Sequence, residues 1–144
     1  MRWRTPRHVD YPYRDLSLFA GCGTKELRKV GRIGTRLQVR AGRRLTTAGD
    51  RGGEVVVVLS GEATCLVGSE VVASFAGGDF FGEVATLDGG PRTATVVSET
   101  DMDLLVLDRS EFETLVKASP EVAHRMLRVM ARRLRSYAAV AAAA

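Results

Sequence analysis

Cysteine, histidine and lysine are scarce in this chain of 144 residues. Cys22 and Cys65 have no metal or redox spacing, and two thiols do not make a disulfide framework. His8 and His124 are the only histidines; neither lies in a ligand or nucleophile arrangement, and His124 is expected to be solvated on a helix face. No Ser/His/Asp or Cys/His constellation can be assembled, so an enzyme is not expected and no catalytic residue, metal or cofactor is assigned. No apolar run approaches the ~20 residues of a membrane span. The start, Met-Arg-Trp-Arg-Thr-Pro-Arg, has no apolar stretch behind it, which argues against a secretory leader. The expected location is cytoplasmic, with reduced thiols. Lysine stands only at positions 25, 29 and 117, so the net charge of +4 and the pI of about 9.5 rest on arginine. That balance permits contact with nucleic acid or an acidic surface, though it ordinarily reflects solubility alone.

What is present is one domain's worth of chain with globular composition. Residues 1–15, arginine-rich and broken by Pro6 and Pro12, are expected to form an irregular arm. Packed structure is expected over residues 16–144. Thr24 is the expected N-cap of a short helix over Lys25–Val30, ended by Gly31 and Gly34, with Leu27, Val30 and Ile33 on one apolar face. Between about residues 35 and 107 the text becomes short β runs separated by glycine turns. Glu54–Leu59 reads as a strand buried on both faces. Gly68-Ser69 is a two-residue hairpin signal between Glu62–Val67 and Val71–Phe75. Thr95–Ser98 and Met102–Leu107 supply two more strands. About eight strands at this spacing suggest a sandwich or barrel of jelly-roll type.

Asp108-Arg109-Ser110-Glu111 is a capping box opening a helix through Lys117. Ser119-Pro120 opens a longer one, to about residue 142. Along it Ala123, Leu127, Met130, Leu134, Tyr137 and Ala141 fall at heptad spacing, beside a second line of Val122, Met126 and Val129. One line suits packing on the β body and the other a second copy of the chain. The alternative is a single wide stripe on the body. Arg125, Arg128, Arg132, Arg133 and Arg135 read as a solvated helix surface, or as a contact for an acidic partner or nucleic acid.

The densest chemistry lies in residues 81–97. Gly82-Glu83-Val84-Ala85 reads as a helical turn entered through glycine, and Asp88-Gly89-Gly90-Pro91 as a turn followed at once by Arg92-Thr93. Backbone N–H groups at a helix start and a guanidinium suit a phosphate. Glu83 would repel one, so it must address another part of the same ligand, such as a sugar hydroxyl. A phosphate fused to a ribose fits this pattern.

The run Phe-Gly-Glu-x-Ala-x-Leu…Gly-x-Pro-Arg-Thr-Ala-Thr-Val closely resembles the phosphate-binding cassette of cyclic nucleotide-binding domains, and the resemblance extends from about Leu16 to the end of the chain. It implies a mainly β fold: an eight-stranded β-roll, jelly-roll-like, with a short N-terminal helix and a C-terminal helix pair. The implied ligand is cAMP, with cGMP open because Thr93 can reach the amino group of a syn guanine and small hydroxyl residues also occur in cAMP binders. The resemblance assigns Arg92 to the phosphate, Glu83 to the ribose 2′-hydroxyl with Arg92 close by, and Gly82 to close backbone approach. Val84 and Ala85 offer N–H groups, and Thr93 a hydroxyl, to the phosphate. The C-terminal helix is expected to cover the base, and Tyr137 either stacks on the purine or packs in a dimer seam. Val55–Leu59 and Leu66 are candidate apolar walls. The expected output is a regulatory one, through helix closure and an unidentified effector protein. Direct DNA binding is not expected, because the helix-turn-helix of related transcription regulators has no counterpart here. The alternatives are the sensor part of such a regulator and a ligand-free interaction module.

Overall fold

The computed structural model describes residues 16–143, their side chains as far as Ala138. The arm at residues 1–15 and the seam position Ala141 thus lie outside the described residues or side chains. Eight strands form two antiparallel four-stranded sheets. They are β1 (Thr35–Val39), β2 (Arg44–Thr46), β3 (Val55–Ser60), β4 (Ala63–Val67), β5 (Glu70–Phe75), β6 (Phe80–Phe81), β7 (Thr95–Ser98) and β8 (Met102–Leu107). One sheet runs β1-β8-β3-β6 and the other β2-β7-β4-β5. The expected mainly β roll with flanking helices is the observed architecture.

The valine run explains how two cores share one strand. Side chains alternate across a strand, and every residue from Val55 to Leu59 is buried. Val56 and Val58 face inward between the sheets with Val39, Leu104, Phe81 and Val96. Val55, Val57 and Leu59 face outward, with Leu105 and Leu107, onto the helices. Each such side chain contributes about 1.5–3 kcal/mol by leaving water, so the sheet is stable only with helices on its outer face. At Gly68-Ser69 the hairpin closes with Val67 opposite Glu70.

The helices are α1 (Thr24–Arg32), α2 (Glu83–Asp88), α3 (Arg109–Ala118) and α4 (Pro120–Ala143). Thr24 is not the cap of α1. Gly23 takes that place, extended and with no side-chain cap bond, its carbonyl accepting from Leu27 N. Gly31 does not end the helix either. It is buried inside it, and closure comes at Arg32–Ile33. Asp108 and Glu111 form the expected reciprocal capping box on α3. Ser119 separates α3 from α4, its hydroxyl donating to Glu26 Oε2 at 2.8 Å. Val122 and Met126 of α4 are buried against the outer core, whereas Leu127, Leu134 and Tyr137 of the heptad line are exposed. This places α4 along the body with its far half reaching over β6 and α2, where Arg133 donates to Phe80 O and Glu83 Oε1.

Candidate functional site

α2 is short and framed by glycines: Gly82 at φ 89° enters it and Gly89 at φ 73° leaves it. Gly82 is required twice over, because a Cβ there would also lie 2.6 Å from both Arg92 Nη1 and Glu54 O. The first helical bond runs from Thr86 N to Gly82 O, so the N–H groups of Glu83, Val84 and Ala85 have no intrahelical acceptor. Glu83 is buried in this first turn, where a carboxylate suits the helix dipole.

Arg92 follows the turn after α2, its side chain only 8% exposed. A buried guanidinium needs acceptors, and the backbone supplies most of them. Nη1 donates to Glu54 O at 2.9 Å and to Gly82 O at 3.2 Å, and Nη2 to Glu54 Oε2 at 3.1 Å. Main-chain bonds between Arg92 O and Gly49 N and between Arg92 N and Asp50 O fasten the residue to the β2–β3 loop. Nε–H and the second Nη2–H have no protein acceptor among the described residues, leaving one edge of the fork to bond a ligand.

Glu83 and Arg92 line the same cavity but form no ion pair with each other. Glu83 Oε1 accepts instead from Arg133 Nη1 of α4 at 3.0 Å, while Arg92 is paired with Glu54. The second Arg133 nitrogen donates to Phe80 O, and its guanidinium lies over the rings of Phe80 and Phe75, 4.6 and 5.1 Å from their centroids. Arg133 therefore departs from the reading of a solvated arginine surface. The signal was its position: one turn from Met130 and from Tyr137, it shares their face of the helix. His124 is exposed, as expected.

These groups surround a cavity of about 680 Å³. Gly82, Glu83, Val84, Ala85, Arg92, Thr93 and Tyr137 all line it, so the structure brings these seven residues around one space. Cys65, Val67, Ala73 and the stacked pair Phe75 and Phe81 form its apolar floor, and Leu127, Met130 and Leu134 of α4 its roof. The expected walls, Val55–Leu59 and Leu66, do not line it. The valines are committed to the two cores, and on β4 the alternation turns Cys65 and Val67 inward and Leu66 away. Burial pushes the Cys65 thiol above its ordinary pKa; Arg133 pulls it down and Glu83 pushes it up. Among the described residues no cluster of His, Cys, Asp and Glu could hold a metal ion, and no helix is long and apolar enough to cross a membrane.

The family model of the cyclic nucleotide-binding domain matches residues 36–119, more than half of the chain and all of this machinery except the α4 roof. The chain belongs to the cyclic nucleotide-binding domain family. The cyclic AMP receptor protein of Thermus thermophilus is 39% identical over 92 residues, covering 60% of this chain and 43% of the relative. A cAMP-dependent protein kinase regulatory subunit of Hypocrea atroviridis is 40% identical over 68 residues, 47% of this chain and 15% of the relative. The crystal structure of Thermus thermophilus catabolite activator protein superposes with a TM-score of 0.73 at 31% identity, covering 83% of this chain and 59% of that one. The domain thus spans less than half the length of these two curated relatives.

Proposed function

We propose that this domain is a regulatory cyclic nucleotide sensor that binds cAMP. The observation that carries the reading is the pairing of two buried, oppositely charged groups on one cavity wall: Arg92 with an open N–H edge, and Glu83 at the start of α2. In this reading the cyclic phosphate takes the Arg92 edge, the Thr93 hydroxyl and the N–H groups of Val84 and Ala85. The ribose 2′-hydroxyl donates to Glu83, whose Oε2 is not used by Arg133. The purine lies on the apolar floor beneath α4, with Tyr137 over it. Thr93 keeps cGMP as the alternative ligand.

Arg133 suggests how binding is transmitted. It ties α4 to the carboxylate that the ribose also addresses, so ligand entry shifts the population of α4 positions over the cavity. The output then passes to an effector protein, or to a second copy through the exposed line on α4. A second reading, the sensor part of a longer regulator, is favoured by the fraction of the relatives' length that the domain spans.

Calorimetric titration of the purified domain with cAMP and with cGMP tests the proposal, with Arg92→Ala alongside. Micromolar or tighter binding is expected. The variant leaves a phosphate charge unpaired and should lose about 2–5 kcal/mol, at least thirty-fold in affinity. A folded wild type that binds neither nucleotide would refute the sensor and leave the roll as an interaction scaffold.

A further inference from the structure

Arg92 offers one edge to an anion, yet its Nη2 is already engaged by a carboxylate. Glu54 approaches from the β2–β3 loop and does not line the cavity. We infer that Glu54 is a counter-ion built into the back of the phosphate site, balancing Arg92 when no anion is bound and thereby setting the affinity for a phosphodiester. The inference rests on the cyclic nucleotide reading above.

Glu54 could in principle act as a strut that aims Arg92. The geometry assigns that task to other groups. Nη1 is fixed by two backbone carbonyls, Glu54 O and Gly82 O, and neither depends on the side chain at 54. The main chain of Arg92 is fastened at both its N–H and its carbonyl to Asp50 and Gly49. What the Glu54 side chain adds is one bond, from Nη2 at 3.1 Å, and one negative charge. Its side chain is 53% exposed, against 8% for Arg92, so it can turn into water at little cost while the arginine cannot. A buried guanidinium without a counter-charge is costly. A phosphodiester on the adjacent edge, at Nε and Nη2, supplies that charge, and the two anions then compete for one cation. The carboxylate therefore stabilises the ligand-free domain and opposes the ligand.

Glu54→Gln separates the two roles, since it keeps the shape and an acceptor oxygen while removing the charge. In titrations with cAMP the variant is expected to bind roughly five-fold tighter than wild type, while its melting temperature without ligand falls by a few degrees. Glu54→Asp, which retains the charge, should stay within about two-fold of wild type in affinity. A strut would give the opposite pattern, affinity and stability falling together, so a folded Glu54→Gln that binds equally or more weakly overturns the inference. If wild type binds no cyclic nucleotide, the functional reading fails and the affinity role fails with it. That outcome is distinct, because the stability change in Glu54→Gln would still report the ion pair. Should Glu54→Gln not fold, a crystal structure of wild type with cAMP decides. The Glu54 carboxylate is expected to have turned out of ion-pair distance of Nη2, and its retention there would overturn the exchange.

Discussion

Gly52 shows how a single missing side chain governs a charged one. Its φ is not positive, so the backbone itself would admit any residue. Space is what forbids a side chain: a Cβ at position 52 would lie 2.5 Å from Arg92 Nε and 2.8 Å from Nη2. Those nitrogens carry the open edge of the fork. Because the Arg92 guanidinium is buried and held by carbonyl acceptors, Gly52→Ala should lower the melting temperature by a few degrees. It should displace the guanidinium and weaken cAMP binding by about ten-fold, a bidentate contact being sensitive to direction. Equal affinity in a folded Gly52→Ala would show that the edge is not the anion contact. The two thiols give a pH-dependent prediction at the same scale. Burial is the leading cause holding both Cys22 and Cys65 above the ordinary thiol pKa, with Glu26 adding for Cys22 and Glu83 for Cys65. A raised acid favours the folded state while it is protonated. Its contribution is whole below the unfolded value of about 8.5 and disappears as the pH rises through the folded one. Denaturant melts from pH 7 to 10 should show stability falling above about 8.5, more steeply in wild type than in Cys65→Ser. Parallel slopes would remove Cys65 from the account.

Elements are held at their ends as much as along their faces, and α3 is the example. Glu111 Oε1 accepts from Asp108 N at 3.0 Å, closing the capping box, while Oε2 accepts from Gly34 N at 2.8 Å at the entrance to β1. One carboxylate thus caps a helix and anchors a strand. Asp108→Ala should cost about 1 kcal/mol, the loss of an N-cap. Glu111→Ala should cost about 2 kcal/mol, because two donors lose a charged acceptor. Thermal melts giving the reverse order would assign the Gly34 bond no weight. The capping box was legible because its pattern is local, as were the Gly68-Ser69 hairpin and the all-buried valine strand. The site was legible for the same reason: Gly82, Glu83, Arg92 and Thr93 lie within one stretch that folds on itself. Partners distant in the chain were not. Glu54 reaches Arg92 across 38 residues and Arg133 reaches Glu83 across 50, and no local spacing encodes either pair. The floor was misread by one residue on β4. Leu66 was the candidate wall on this strand, but the register turns Cys65 and Val67 to the cavity. At α1 the competing choice was between a side-chain cap and a glycine already extended before the first turn, and the glycine prevailed.

The whole molecule meets two demands on one helix. α4 is fixed to the body through Val122 and Met126, and through Arg125, which donates to Leu18 O at 3.1 Å. Beyond that anchor it carries Leu127, Leu134 and Tyr137 at 61, 70 and 53% exposure, at the 7- and 3-residue steps of a heptad line. The same three residues roof the cavity. A roof over a purine uses the inner side of this stripe, whereas leaving so much apolar area in water is unfavourable unless another surface covers the outer side. A second α4 at coiled-coil spacing is the simplest cover, and it would couple two cavities by moving two roofs together. Sedimentation equilibrium of wild type at micromolar concentration should then give a dimer. Leu134→Glu, which places a charge in the middle of the line, should give a monomer with the β-roll intact and with cAMP affinity reduced by no more than about ten-fold. A wild type that sediments as a monomer with and without cAMP would confine the line to the cavity, and Leu134→Glu would then act on affinity alone.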